Sequence, residues 1–90
     1  MKLSSSEIRF RICKKLVRHR YWGGKHISSE DILKGFPSHL KKDFKNEIDE
    51  LVRENILLTK PTSYGTRYSL DPGMKEEVTR ILSELGEIYD

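Results

Sequence analysis

The sequence predicts a mainly α-helical domain that carries one small β-hairpin. Apolar residues recur at helical spacing in four segments, and two short β-prone runs flank a turn-rich link. No stretch repeats or is of low complexity, so the 90 residues read as one domain with one core. Leu, Ile, Val and Phe together make up 24 of the 90 residues, which removes the chain from the disordered class.

Ser4 and Glu7 form a capping-box pattern at the start of the first helix. Ile8, Ile12 and Leu16 then follow at helical spacing, and Phe10, Cys13 and Val17 widen the apolar arc. An arc this broad packs on two sides, either as a central core helix or against a second subunit. Gly23 and Gly24 predict a stop near Tyr21. His26-Ile27 is long enough for a short strand. Ser28 and Asp31 repeat the capping pattern, Ile32 and Leu33 supply a small apolar face, and Gly35 closes a helix of about two turns. Phe36-Pro37 makes a corner.

Ser38 is the expected cap of a third helix that runs to about Glu54. Its buried stripe is Leu40, Phe44, Ile48, Leu51 and Val52. Asp43, Glu47, Glu50 and Glu54 line one flank, and Lys41, Lys42 and Lys45 the other, while Asn46, Asp49 and Arg53 point outward. The runs 56–60 and 66–70 are the β-prone pair, joined by Pro61-Thr62-Ser63-Tyr64-Gly65. Ile56 and Leu58 are expected to face Tyr68 and Leu70. Asp71-Pro72 starts the last helix, whose stripe is Met74, Val78, Ile81, Leu82, Leu85 and Ile88.

The order is helix, short strand, helix, helix, strand, strand, helix. A helix pair with a short turn followed by a hairpin is the winged helix-turn-helix arrangement. The expected core covers residues 5–72, with a C-terminal helix over 73–88 that either packs on it or dimerises.

Charge is unevenly spread. Residues 1–27 hold eight Lys or Arg and one acid; residues 71–90 hold two bases and six acids. Lys60 and Arg67 are the charged residues of the hairpin, which carries no acid. Such segregation points either to a polyanion partner for one surface or to pairing of the N-terminal cations with acids of the middle and tail. The acid flank of the third helix is one place for such pairing. The absence of Ala and Gln, with many Lys, Arg, Glu and Ile, fits a thermophilic or low-GC prokaryote.

Several function classes find no support. No apolar run has the ~18–20 residues of a membrane span, and no hydrophobic stretch follows the N-terminal Met-Lys, so a soluble, cytoplasmic protein is expected. A single cysteine excludes a disulfide framework and a cysteine zinc cluster. Cys13 lies on an apolar helical face and reads as a buried thiol. His19, His26 and His39 lack metal-ligand spacing, and no glycine-rich phosphate loop is present. The sequence therefore predicts no enzyme, no cofactor and no metal.

The stretch Tyr21-Trp22-Gly23-Gly24-Lys25-His26-Ile27 resembles the strand-entry segment of small archaeal winged-helix proteins. So do Lys34-Gly35-Phe36-Pro37-Ser38-His39 and Lys60-Pro61-Thr62-Ser63-Tyr64-Gly65, with Tyr68-Ser69-Leu70 after them. The resemblance covers roughly residues 8–72. It implies the winged-helix fold and DNA binding, and carries over no contact residue. The acids Asp43, Glu47, Asp49 and Glu50 depart from it, since strong DNA binders often carry neutral or basic residues on the outward face where Asp49 lies.

In helix-turn-helix proteins the recognition helix enters the major groove, while wings and helix ends touch phosphates. The third helix offers Ser38, His39, Lys41, Lys42, Lys45 and Asn46; Lys reads guanine and Asn reads adenine where they reach base edges. The bland reading of these lysines is a solvated helix face, and of His39 a residue that fills the helix start. The wing offers Lys60, Thr62, Ser63, Tyr64 and Arg67, with Thr66 beside them; Arg67 suits the backbone or the minor groove. Tyr64 is expected to fold over the hairpin and fix its shape. Lys25 and His26 flank the short strand, and Arg11, Lys14, Lys15 and Arg18 form a stripe that either extends a phosphate footprint or pairs with acids. Tyr21 and Trp22 read as core anchors.

The expected function is double-stranded DNA binding, sequence-specific or general, by a nucleoid-associated transcriptional regulator. A symmetric homodimer would suit a palindromic site. The alternative is a winged-helix protein–protein interaction module that binds no DNA.

Overall fold

The computed structural model describes residues 3–89, and side chains of residues 3–84. Its elements are α1 (Ser5–Arg18), β1 (Ile27–Ser28), α2 (Ser29–Leu33), α3 (Lys41–Arg53), β2 (Leu57–Thr62), β3 (Gly65–Leu70) and α4 (Lys75–Tyr89). The chain is thus mainly helical with a small antiparallel sheet of order β1-β3-β2.

Three helix starts follow local side-chain chemistry. The Ser4 hydroxyl accepts from the Glu7 amide at 3.2 Å and donates to the Glu7 carboxylate at 3.2 Å. Ser28 caps α2 through the Asp31 amide at 3.2 Å. Asp71 accepts from the Gly73 amide at 2.9 Å, and Pro72 opens a 3-10 turn that leads into α4. The fourth start departs from expectation. Ser38 makes no capping bond; residues Ser38–Leu40 form a 3-10 turn, closed by the Leu40 amide on the Pro37 carbonyl at 3.1 Å, and α3 proper begins at Lys41. A backbone bond across the tight turn does there what a side chain does elsewhere.

Two helix ends share one device. In α1 the Arg20 amide bonds Val17 O and the Tyr21 amide bonds Leu16 O, with Arg20 at φ 58°. In α3 the Asn55 amide bonds Val52 O and the Ile56 amide bonds Leu51 O, with Asn55 at φ 63°. Both are Schellman ends. The glycine pair therefore does not stop α1, which ends three residues before Tyr21. Asn tolerates the left-handed conformation, whereas Arg is strained there. Arg20→Gly should therefore raise unfolding free energy by about 0.5–1 kcal/mol in urea denaturation, the backbone strain relieved less the extra entropy of an unfolded glycine. The Arg20 side chain is exposed, so little else is lost.

The Schellman end of α3 also sets the hairpin register. Ile56 turns back into the core as the hydrophobic residue after the helix, 2% exposed. The strand then begins at Leu57, which pairs with Leu70 and is buried, and strict alternation turns Leu58 outward at 40% exposure. The expected facing of Ile56 and Leu58 is thus off by one residue on the strand. The strands are also longer than expected and the link shorter. Pro61 and Thr62 belong to β2, leaving Ser63-Tyr64 as the turn, with Gly65 at φ 121°. Pro61 is tolerated because β2 is an edge strand, where a missing amide breaks no second ladder.

The core lies between the helices and one sheet face. Ile12, Leu16, Ile32, Phe44, Leu51 and Leu70 are fully buried, and Phe36 stacks on Phe44 with centroids 4.5 Å apart. The broad apolar arc of α1 packs on both α3 and α4, so α1 is the central helix. Val78 is 1% exposed, and Met74, Ile81 and Leu82 pack on the same core, so this part of α4 docks on its own chain. Leu85 and Ile88, expected on the same stripe, lie outside the described side chains. Tyr21 and Trp22 pack on the core as partly buried anchors. The Leu70 amide donates to Tyr21 O at 2.7 Å and the Gly23 amide to Leu70 O at 3.0 Å, tying the α1–β1 connection to the end of β3. No helix among the described residues is long and apolar enough to cross a membrane.

Candidate nucleic-acid interface

The buried stripe of α3 fixes what the helix presents to water. With Phe44, Ile48 and Leu51 inward, Lys41, Lys42, Lys45, Asn46 and Asp49 are exposed. Ser38 and His39, in the turn before the helix, are exposed too. Lys41, Lys42 and Lys45 border a shallow groove whose other wall is α2, with Ser29, Glu30 and Leu33.

The charges of α3 are sorted by their partners. Arg9 of α1 donates from Nε to Glu47 at 2.7 Å and pairs bidentately with Glu54, one bond at 2.9 Å. Glu47 is buried under this contact, at 7% exposure. Arg53 pairs with Glu50 along the helix. Glu54 is held below the usual carboxylate range, chiefly by the Arg9 hydrogen bonds. The acid flank is thus largely engaged, whereas Lys41, Lys42 and Lys45 form no ion pair among the described residues. The expected pairing of first-helix cations with this flank is found, through Arg9 rather than the stripe residues. Arg9 sits between Ile8 and Ile12 and was masked by the apolar pattern; the signal for it is that Glu47 and Glu54 stand seven residues apart, two turns, on one side of α3.

The stripe on α1 divides. Lys15 donates to the carbonyls of Asp31, Ile32 and Lys34 at 2.8, 3.0 and 2.6 Å, closing the C-terminal end of α2, and lies over the Phe36 ring. Desolvation lowers its pKa. Lys15 is therefore part of the scaffold. So is Lys25, which donates to His19 O at 3.0 Å and covers the Tyr21 ring. Arg11, Lys14 and Arg18 stay exposed.

In the hairpin, Thr62 builds the turn. Its hydroxyl donates to Gly65 O at 2.6 Å and accepts from the Tyr64 amide at 3.2 Å. Ser63 is exposed, and Tyr64 is 98% exposed, so it does not fold over the hairpin. Lys60 and Arg67 are direct cross-strand neighbours. Lys60 is exposed; Arg67 is half-buried on the central strand and donates to His26 O at 3.1 Å, which joins the hairpin to the segment before β1. Arg67 thus has a structural duty that its sequence position beside the tip does not reveal. Tyr68 faces the other side of the sheet, and its hydroxyl pKa is raised by burial and by the charge of Asp49.

Cys13 is fully buried, and burial pushes its thiol up to about 12, which keeps it protonated. Among the described residues no three His, Cys, Asp or Glu side chains gather as a metal site. No protein-family model matches the chain, and neither a curated protein nor a solved structure matches it.

Proposed function

We propose that this protein is a winged-helix module that binds double-stranded DNA and regulates transcription, with α3 in the major groove and the β2–β3 hairpin as a wing on the adjacent backbone. The observation that carries this reading is the sorting of charge on α3. Arg9 and Arg53 engage Glu47, Glu50 and Glu54, and three lysines in the first half of the helix are left exposed with no acid partner among the described residues. The first turns of a recognition helix are where base and phosphate contacts form.

The hairpin adds support. Lys60, directly across the strands from Arg67, is exposed, and no acid of the hairpin offsets either cation. Tyr64, at the tip, offers an exposed hydroxyl and ring to a backbone or groove. Ser38, His39 and Asn46 complete the α3 contact set, and Ser63 and Thr62 the tip. The element order, helix–strand–helix–helix–hairpin–helix, supports the same fold, as does the resemblance to small archaeal winged-helix proteins.

Counter-ion release tests the reading. With four to six phosphates neutralised, log affinity for duplex DNA should fall against log salt with a slope of roughly −4 to −5. The Lys41→Ala, Lys42→Ala, Lys45→Ala triple variant should reduce that slope by about 2–3, because each phosphate contact contributes about 0.9. Arg67 is left intact, since its loss would also loosen β1. No duplex binding at low salt, or an unchanged slope in the variant, refutes the proposal and favours a protein-interaction module.

A further inference from the structure

We propose that Tyr64, at the tip of the β2–β3 hairpin, stacks on an unpaired nucleobase, so that the protein binds duplex DNA carrying an unpaired nucleotide more tightly than fully paired duplex. This deepens the DNA-binding reading above and rests on it.

The tip holds the ring in place. Thr62 and Gly65 are the last pair of a ladder that begins at Leu57 and Leu70. The Thr62 hydroxyl donates to Gly65 O at 2.6 Å and accepts from the Tyr64 amide at 3.2 Å. The base of the hairpin is tied down by the Arg67 bond to His26 O at 3.1 Å. The backbone that carries the ring is therefore ordered before any ligand arrives, and stacking fixes only the two side-chain torsions of a tyrosine.

The state of the ring selects its ligand. Tyr64 is 98% exposed and makes no ring contact or side-chain hydrogen bond among the described residues. Other aromatic rings are covered: Phe10 by Lys14, Phe36 by Phe44 and Lys15, and Tyr21 by Lys25. An aromatic ring open to solvent on a polar projection, with Ser63 and Gly65 beside it, suits a flat apolar face, which every nucleobase has. The phosphate of the same nucleotide is also provided for. Exposed Lys60 pairs with Arg67 two steps behind the closing pair, about 7 Å at the usual strand rise, and the hairpin holds no acid. In a fully paired duplex the base faces are closed by stacking, and opening a step costs free energy. An unpaired nucleotide offers its face at much lower cost.

The test uses the full chain and fluorescein-labelled duplexes of about 20 base pairs, one fully paired and one with a single bulged adenine. Fluorescence anisotropy should show the bulged duplex bound at least about fivefold more tightly, the lower end of what one base–aromatic stack provides. Tyr64→Ala should remove that preference and leave affinity for the paired duplex nearly unchanged, whereas Tyr64→Phe should keep the preference. A bulge that is abasic, as flexible but without a ring, should bind like the paired duplex. The Lys41→Ala, Lys42→Ala, Lys45→Ala variant should weaken both duplexes and preserve their ratio. Equal affinity for the paired and bulged duplexes overturns this inference alone and leaves the DNA-binding reading standing. So does a preference that survives in Tyr64→Ala or with the abasic bulge, or one that is lost in Tyr64→Phe, which would assign the contact to the hydroxyl. Failure to bind either duplex at low salt overturns both.

Discussion

Phe44→Ala should destabilise the protein by about 3–5 kcal/mol, the range for emptying a buried aromatic site. Phe44 is 0% exposed and is the stacking partner of Phe36, so its removal opens a cavity between α3 and the α2–α3 turn. Lys15 reaches over Phe36 from α1, so three segments border the space. Native domains are stable by only about 0.05–0.15 kcal/mol per residue, so this one change takes a large share of the total. Urea denaturation should show a lower midpoint with a nearly unchanged slope. Phe44→Leu, which keeps most of the volume, should cost about 1.5 kcal/mol or less. Equal losses in the two variants would mean that the site does not depend on filled volume.

The second large effect is expected at Arg9. Arg9→Met keeps the aliphatic stem and leaves the Glu47 carboxylate buried with no cation beside it. Breaking a buried pair costs about 3–5 kcal/mol; Arg9 retains 22% side-chain exposure, so about 2–3 kcal/mol is expected here. The double variant Arg9→Met/Glu47→Leu should recover most of that loss, because no buried charge then remains. The effect should also depend on pH. The Arg9 bonds depress the pKa of Glu54, so their stabilisation is present above the unfolded glutamate value of about 4.3 and is lost as pH falls through the lower folded value. The stability gap between wild type and Arg9→Met should therefore be smaller at low pH than at neutral pH. Chemical denaturation at pH 3.5 and pH 7 measures this directly.

Arg9 also shows why the candidate site was half legible. The flanks of α3 were readable as acidic and basic faces, because a helical wheel needs only the sequence. Which face is neutralised depends on a residue 38 positions from Glu47 and 45 from Glu54. Lys15 and Lys25 teach the same lesson from the other side. Each looks like a free surface cation, and each instead closes a helix end by donating to backbone carbonyls. Tyr64 ran the opposite way: expected to cover the hairpin, it stands in water.

The sequence by itself determined the four helices, the buried stripes of the first three, the caps at Ser4, Ser28 and Asp71, and the existence of a hairpin. These features rest on side-chain period and on hydrogen bonds between residues two or three positions apart, so local order suffices to specify them. Tertiary structure decided the strand register and the division of cations into scaffold and exposed surface. Register followed from where the end of α3 delivered Ile56, and each cation's role from carbonyls or carboxylates brought near it by packing. Such partners lie far away along the chain, and only the folded core sets their distance.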